Sequence, residues 1–162
     1  MSPRLMIKWS LIGFATLVAT LVVTLAATAL WLARSVPASD GEEVVAGLGA
    51  PVTIMRDSFA IPHILSQSRA DGFFALGRLH AEDRLFQMEL FRRFGRGQLA
   101  AVAGGQALPA DIYSRTLGIG RLADEAYAKA SPELKAVLDS YAAGVNSWIA
   151  HRDRPLPPEF TL

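Results

Sequence analysis

The sequence predicts an α+β protein: a mostly helical fragment with a short N-terminal strand pair, preceded by one transmembrane helix. Three observations predict it. A 25-residue stretch, residues 9–33, carries no charged side chain. Residues 52–57 alternate in the manner of a strand, and a second short apolar piece follows at 61–65. Beyond residue 70 the apolar residues recur at helical spacing in runs closed by Gly or Pro, as helix ends require. With 51% hydrophobic residues and Lys+Arg 16 against Asp+Glu 15, the 162-residue chain is neither disordered nor a polyelectrolyte.

As a helix the uncharged stretch is about 37 Å long at roughly 1.5 Å per residue, enough to cross a bilayer core of about 30 Å with some tilt. Trp9 and Trp31 stand near its ends, where indoles favour the interface, and Gly13 and the many Ala and Thr residues are tolerated in lipid. A cleaved signal peptide would have an apolar region of roughly 7–15 residues. The candidate cleavage signal at 36–38 also contains Pro37, so an uncleaved anchor is favoured. Arg4 and Lys8 precede the stretch, while Arg34, Asp40, Glu42 and Glu43 follow it, which keeps the N-terminus inside. The expected layout is a cytoplasmic basic segment at 1–8, a transmembrane anchor or uncleaved signal at 9–33, a linker at 34–48 and a body at 49–162. The chain is then single-pass in the cytoplasmic membrane, with a periplasmic or extracellular body.

The linker is rich in small, acidic and breaker residues. In the strand that follows, Val52, Ile54 and Arg56 point one way and Thr53, Met55 and Asp57 the other; residues 58–60 turn the chain, and 61–65, with Pro62, form the partner strand. Residues 70–97 read as a long helix with a stripe of Leu76, Leu79, Phe86, Leu90 and Phe94, ended by Gly95 and Gly97. A loop is expected next, then a helix carrying Ile119, Leu122, Ala123, Ala126 and Tyr127. Ser131 caps a last helix with Pro132 in its first turn, and Leu134, Val137, Leu138, Tyr141, Val145, Trp148 and Ile149 line one face.

Without Arg4, Lys8 and Arg34 the remainder is slightly acidic, and no basic face emerges, which argues against a nucleic-acid partner. Zero Cys excludes disulfides, thiolate chemistry and zinc ribbons. Asp83 falls on the apolar stripe between Leu79 and Phe86 and is expected to be a buried acid. Such a group is either functional with a shifted pKa or, the favoured reading, structural and satisfied by Arg84, Arg92, Arg115 or backbone amides. His63 and His80 lack a third ligand for a metal, and His80 and Glu82 do not share a helical face. His151 sits at a helix C-terminus, where a cation is mildly favoured. No G-x-S-x-G elbow or S-x-x-K motif is present, and Ser147 lies in mid-helix with no base. The glycines at 95, 97, 104, 105, 118 and 120 follow no strand, so no phosphate loop is expected. No catalytic, substrate-binding or metal residue is assigned.

The order of motifs carries more. APVTIMRDSFAIPHI, HAEDRLFQMELFRR, GRGQLAAVAG, DIYSRTLG, SYAAGVNSWI and PLPPEF follow one another across nearly all of residues 49–162. This series closely resembles the start of the penicillin acylase (penicillin amidase) family of N-terminal-nucleophile hydrolases. The most specific piece is Asp83 to Glu89 with Arg92 and Arg93 after it. Two departures stand out: Ala60 occupies a turn position where the family usually has Gly, and Ala101 stands where it commonly has an acid.

The resemblance implies an αββα sandwich in the intact enzyme, made from a precursor that cuts itself into α and β chains. It implies an amide-hydrolysing reaction in which the β chain's N-terminal Ser attacks with its own α-amino group as base, on β-lactam side chains, acyl-homoserine lactones or similar acyl amides. No residue here matches that Ser. Residues 49–162 are expected to be an incomplete α-chain region that, by the resemblance, packs with the rest of the α chain and the β chain. Arg84, Glu89, Arg92 and Arg93 would be scaffold ion pairs. No cofactor is expected in this chain; calcium is implied only for the intact protein. The alternative is a catalytically empty, membrane-tethered remnant or interaction module.

Overall fold

In a computed structural model the described residues are 3–35, 40–152, 156 and 158–161. The candidate cleavage signal lies outside them. The chain divides into two compact units, Met1–Pro37 with Arg154–Leu162, and Ala38–Asp153. In the first, a single helix α1 covers Pro3–Ser35, and its Trp9–Arg34 portion is long and apolar enough to cross a membrane, with no residue buried. The hydroxyls of Thr16, Thr20, Thr24 and Thr28 each donate to the carbonyl four residues back at 2.9 Å, so no polar group on this ladder is left open. A 3₁₀ turn covers Pro158–Thr161.

The body begins with an antiparallel pair, β1 (Thr53–Arg56) and β2 (Pro62–Leu65), in the register Thr53 to Leu65 and Arg56 to Pro62. Asp57 builds the connecting turn. Its Oδ1 accepts from the amides of Phe59 at 2.9 Å and Ile61 at 3.0 Å, and its carbonyl accepts from Ala60 at 2.9 Å. Ala60 sits at φ 60°, in the left-handed region, so the missing glycine leaves a strained residue there. That conformation costs an L-residue roughly 1–2 kcal/mol.

Helix α2 (Arg69–Arg96) starts at Ser68, whose side chain accepts from the Asp71 amide, and ends at Gly97 with φ 64°, where the Gln98 amide reaches the Arg93 carbonyl at 2.8 Å. It kinks at Arg84, which has φ −150° and ψ 33°. Helix α6 (Pro132–His151) starts at the expected cap, Ser131 accepting from Leu134 at 3.2 Å. The two helices pack so closely that their backbones touch. A Cβ at Gly77 would lie 2.1 Å from the Tyr141 carbonyl oxygen, and one at Gly144 would lie 1.9 Å from that of Phe74. This seam corrects the expected α2 stripe: Leu79 is buried, but Leu76, Phe86, Leu90 and Phe94 are only half-buried. The apolar core is Phe74, Ala75, Leu79, Ala81, Leu85 and Trp148, centred on the small residues that let α6 approach.

The expected loop after Gly97 is mostly helical. It holds α3 (Ala100–Ala103), a 3₁₀ turn (Gly105–Ala107) and α4 (Leu108–Leu117) before α5 (Ile119–Lys129). Two glycines hid these short helices. Gly104 at φ 74° and Gly118 at φ 69° are turn residues, yet Gly118 joins α4 directly to α5 with no intervening loop. Of the expected α6 face, Trp148 is buried and Val137, Tyr141 and Val145 half-buried, while Leu134, Leu138 and Ile149 are exposed.

Candidate functional site

The hairpin meets α2 through an ion pair. Both terminal guanidinium nitrogens of Arg56 donate to Asp83, the closest contact being Nη2 to Oδ1 at 3.1 Å, while Nη1 also reaches the Ala60 carbonyl at 3.1 Å. This corrects two expectations. Asp83 lies at the surface with its carboxylate partly covered, and its partner is Arg56 of β1 rather than Arg84, Arg92 or Arg115. The kink at Arg84 and the distant strand set that pairing, and neither is visible in helical spacing. Next to it, Asp57 Oδ2 lies 3.3 Å from His63 Nε2. Hydrogen bonds, first from the Ile61 amide and then from His63 and Phe59, hold the Asp57 carboxyl below the usual carboxylate range.

His80 and Tyr141 join α2 to α6, with Nδ1 and Oη 2.9 Å apart and the rings edge to face. Burial lowers the His80 pKa, the Arg84 charge adds to this and Asp83 opposes it; burial likewise raises Tyr141. Further along α2, Glu89 accepts from Arg92 at 2.7 and 2.9 Å and from Arg93 at 2.6 Å. The Arg92 bonds are foremost in lowering its pKa, with Arg93 adding to them. Arg96 makes a two-pronged pair with Asp124 of α5 at 2.8 and 2.9 Å.

Two buried carboxylates escaped the sequence reading. Asp71 accepts from the Ser68 hydroxyl at 2.6 Å and the Gly49 amide at 2.7 Å, and these bonds, Ser68 first, lower its pKa. The Ser68-x-x-Asp71 spacing is a capping-box signature and was the available signal. Asp111, in the first turn of α4, accepts from the amides of Leu99 at 2.7 Å and Ala100 at 2.9 Å and so caps α3 from eleven residues away. Neighbouring Arg115 donates to the Gly97 carbonyl at 2.8 Å, and Ser114 is 1% exposed with its hydroxyl unpartnered.

Ser147 receives a 3.4 Å contact from Arg78, a donor rather than a base, and its carbonyl lies 3.1 Å from His151 Nδ1. Among the described residues no three His, Asp or Glu side chains converge as a metal site would need. The arrangement caps helices and pins the hairpin and α5 to α2.

A sequence profile described as penicillin amidase matches residues 51–162. The chain belongs to the penicillin amidase family. It is 42% identical over 131 residues to a penicillin acylase 2 proenzyme of Pseudomonas sp., and 36% identical over 137 residues to an acyl-homoserine lactone acylase, QuiP, of Pseudomonas fluorescens. These alignments cover 81% and 84% of this chain but 17% of each relative, whose N-terminal part is matched. A thermostable penicillin G acylase from Alcaligenes faecalis shares the fold with TM-score 0.60 and 32% identity over 68% of this chain and 60% of that chain. The penicillin amidase motif that starts at Asp83 is thus the stretch where α2 kinks, gathers its ion pairs and receives the hairpin.

Proposed function

We propose that this penicillin amidase segment is the N-terminal α-chain scaffold of an anchored acyl-amide hydrolase precursor, and that its own residues hold the fold rather than react. In the complete enzyme a Ser at the start of the β chain would attack the amide with its α-amino group as base, and hydrogen-bond donors would hold the oxyanion. The hairpin and the two long helices would take their places in the αββα sandwich. The observation that carries the reading is the engagement of the motif's charges: Asp83 with Arg56, and Glu89 with Arg92 and Arg93. The names of the relatives support acyl amides, either β-lactam side chains or acyl-homoserine lactones, as the substrate class. The apolar α1 and its flanking charges support a body held outside the cytoplasmic membrane, with the N-terminus inside.

The exposed Leu122, Leu134, Leu138 and Ile149 favour a second reading, a catalytically empty interaction module. One experiment separates the two. The 162-residue chain is produced alone and together with the polypeptide encoded downstream of the Leu162 codon, and primary-amine release from penicillin G and from N-acyl-homoserine lactones is followed. The scaffold reading expects release only with the downstream part. Release by the 162-residue chain alone, or none from either sample, overturns it.

A further inference from the structure

Residues 43–49 precede the first strand, yet they lie along α2 in reverse order. The Glu43 carboxylate pairs with the Arg78 guanidinium. Gly47 passes beneath Phe74 at φ +108°, where a Cβ would come within 2.8 Å of the ring. The Gly49 amide donates to Asp71 at 2.7 Å. As the chain ascends through 43, 47 and 49 it meets α2 at 78, 74 and 71, contacting about two turns of helix.

Each contact has a reason to persist. The Arg78 side chain is 14% exposed, and a guanidinium that far from water needs a counter-charge and full use of its donors. Glu43 supplies the charge, while the other prong of Arg78 reaches Ser147 on α6, so the segment is tied through α2 to the α2–α6 seam. Phe74 is a core residue at 4% exposure, and Gly47 covers it where a larger residue would be both strained and too close. Asp71 holds the start of α2 and the Gly49 amide with the same carboxylate.

We propose that residues 43–49 are a strap belonging to the body, and that it sets the length of the membrane leash. The leash part of this inference rests on the anchored reading above. Only residues 36–42 then separate the end of α1 from the first pinned residue, a span of about 25 Å at most at roughly 3.3–3.6 Å per residue. Release of the strap would leave residues 36–52 free before β1 and more than double that maximum reach.

The test uses the full 162-residue chain. Because it has no Cys, Ala142→Cys on the exposed side of α6 gives a single labelling site. Hydrogen exchange of residues 44–50 is measured in detergent micelles for the parent and for Glu43→Gln/Gly47→Ala, a double variant that leaves α2 and α6 untouched, with circular dichroism reporting that the helices remain. Energy transfer from the Ala142→Cys dye to labelled lipid is then read in phosphatidylethanolamine/phosphatidylglycerol vesicles. The expected result is Gly49 exchange at least tenfold slower in the parent than in the variant, and a dye-to-lipid distance that lengthens by 10 Å or more in the variant. Equal exchange rates overturn the strap. Slow parent exchange with an unchanged distance overturns the leash role, and slow exchange with no vesicle association overturns the anchored reading while leaving the strap standing.

Discussion

The α2–α6 seam and the α3–α4 corner are both built around α2, but they hold by opposite means. The seam closes because side chains are missing: Gly77 and Gly144 bring the backbones into contact, and Phe74, Leu79 and Trp148 fill the flanks. The corner closes because one side chain is present in the right place, Asp111 satisfying two amides that α3 would otherwise leave open. Shape governs the first and hydrogen bonding the second. The seam should therefore fail through added volume, and the corner through a lost acceptor.

The largest effect is expected at the seam. Gly144→Ala puts a methyl 1.9 Å from the Phe74 carbonyl oxygen, and α6 must move to admit it. A loss of about 3 kcal/mol is expected, visible as a collapse of the near-ultraviolet dichroism of Trp148; an unchanged thermal midpoint would show that the helices are not in contact there. At the corner, Asp111→Ala removes the acceptor for the Leu99 and Ala100 amides, for about 2 kcal/mol. Faster hydrogen exchange should appear at those two amides while the seam stays protected. If the seam loosens equally, the two regions are one cooperative unit and the contrast is wrong.

The hairpin offers a gain. Ala60→Gly should raise stability by about 0.5–1 kcal/mol, the left-handed strain relieved less the glycine's unfolded-state entropy; a drop in denaturation midpoint would contradict strain at φ 60°. Replacing Arg56 by Gln should cost only about 0.5 kcal/mol, since the pair with Asp83 is partly open to water, and the loss should shrink in 1 M salt. The smallest effect concerns pH. His80 has its pKa lowered on folding, so the unfolded chain takes up a proton first as pH falls. Its contribution is complete above the unfolded value near 6.5 and is lost as the pH drops through the folded one. His80→Gln should flatten the decline in thermal midpoint between pH 7 and pH 5.

Much of this was legible in the residues. Ser131 and Pro132 announced α6, and of Gly95 and Gly97 the second ends α2, because caps depend on neighbours within four residues; Ala60 stood out only through the family resemblance, in which that turn usually has glycine. The partner of Asp83 was not legible, since Arg56 is 27 residues away and reaches it only after the hairpin folds back and α2 kinks. Helical spacing also placed the α2 face on its large residues, Leu76, Phe86 and Leu90. The packed face is the one that carries Gly77 and Ala81, a choice made by how closely another helix could approach.

By itself, the sequence determined the apolar N-terminal helix, the strand pair, the long helices and membership of the penicillin amidase family, all of which rest on local spacing and motif order. Only the tertiary structure decided which face of α2 is buried, which carboxylates cap which helix and that residues 43–49 lie against α2. Those outcomes depend on contacts between groups far apart in the chain, and their geometry is settled when backbones meet.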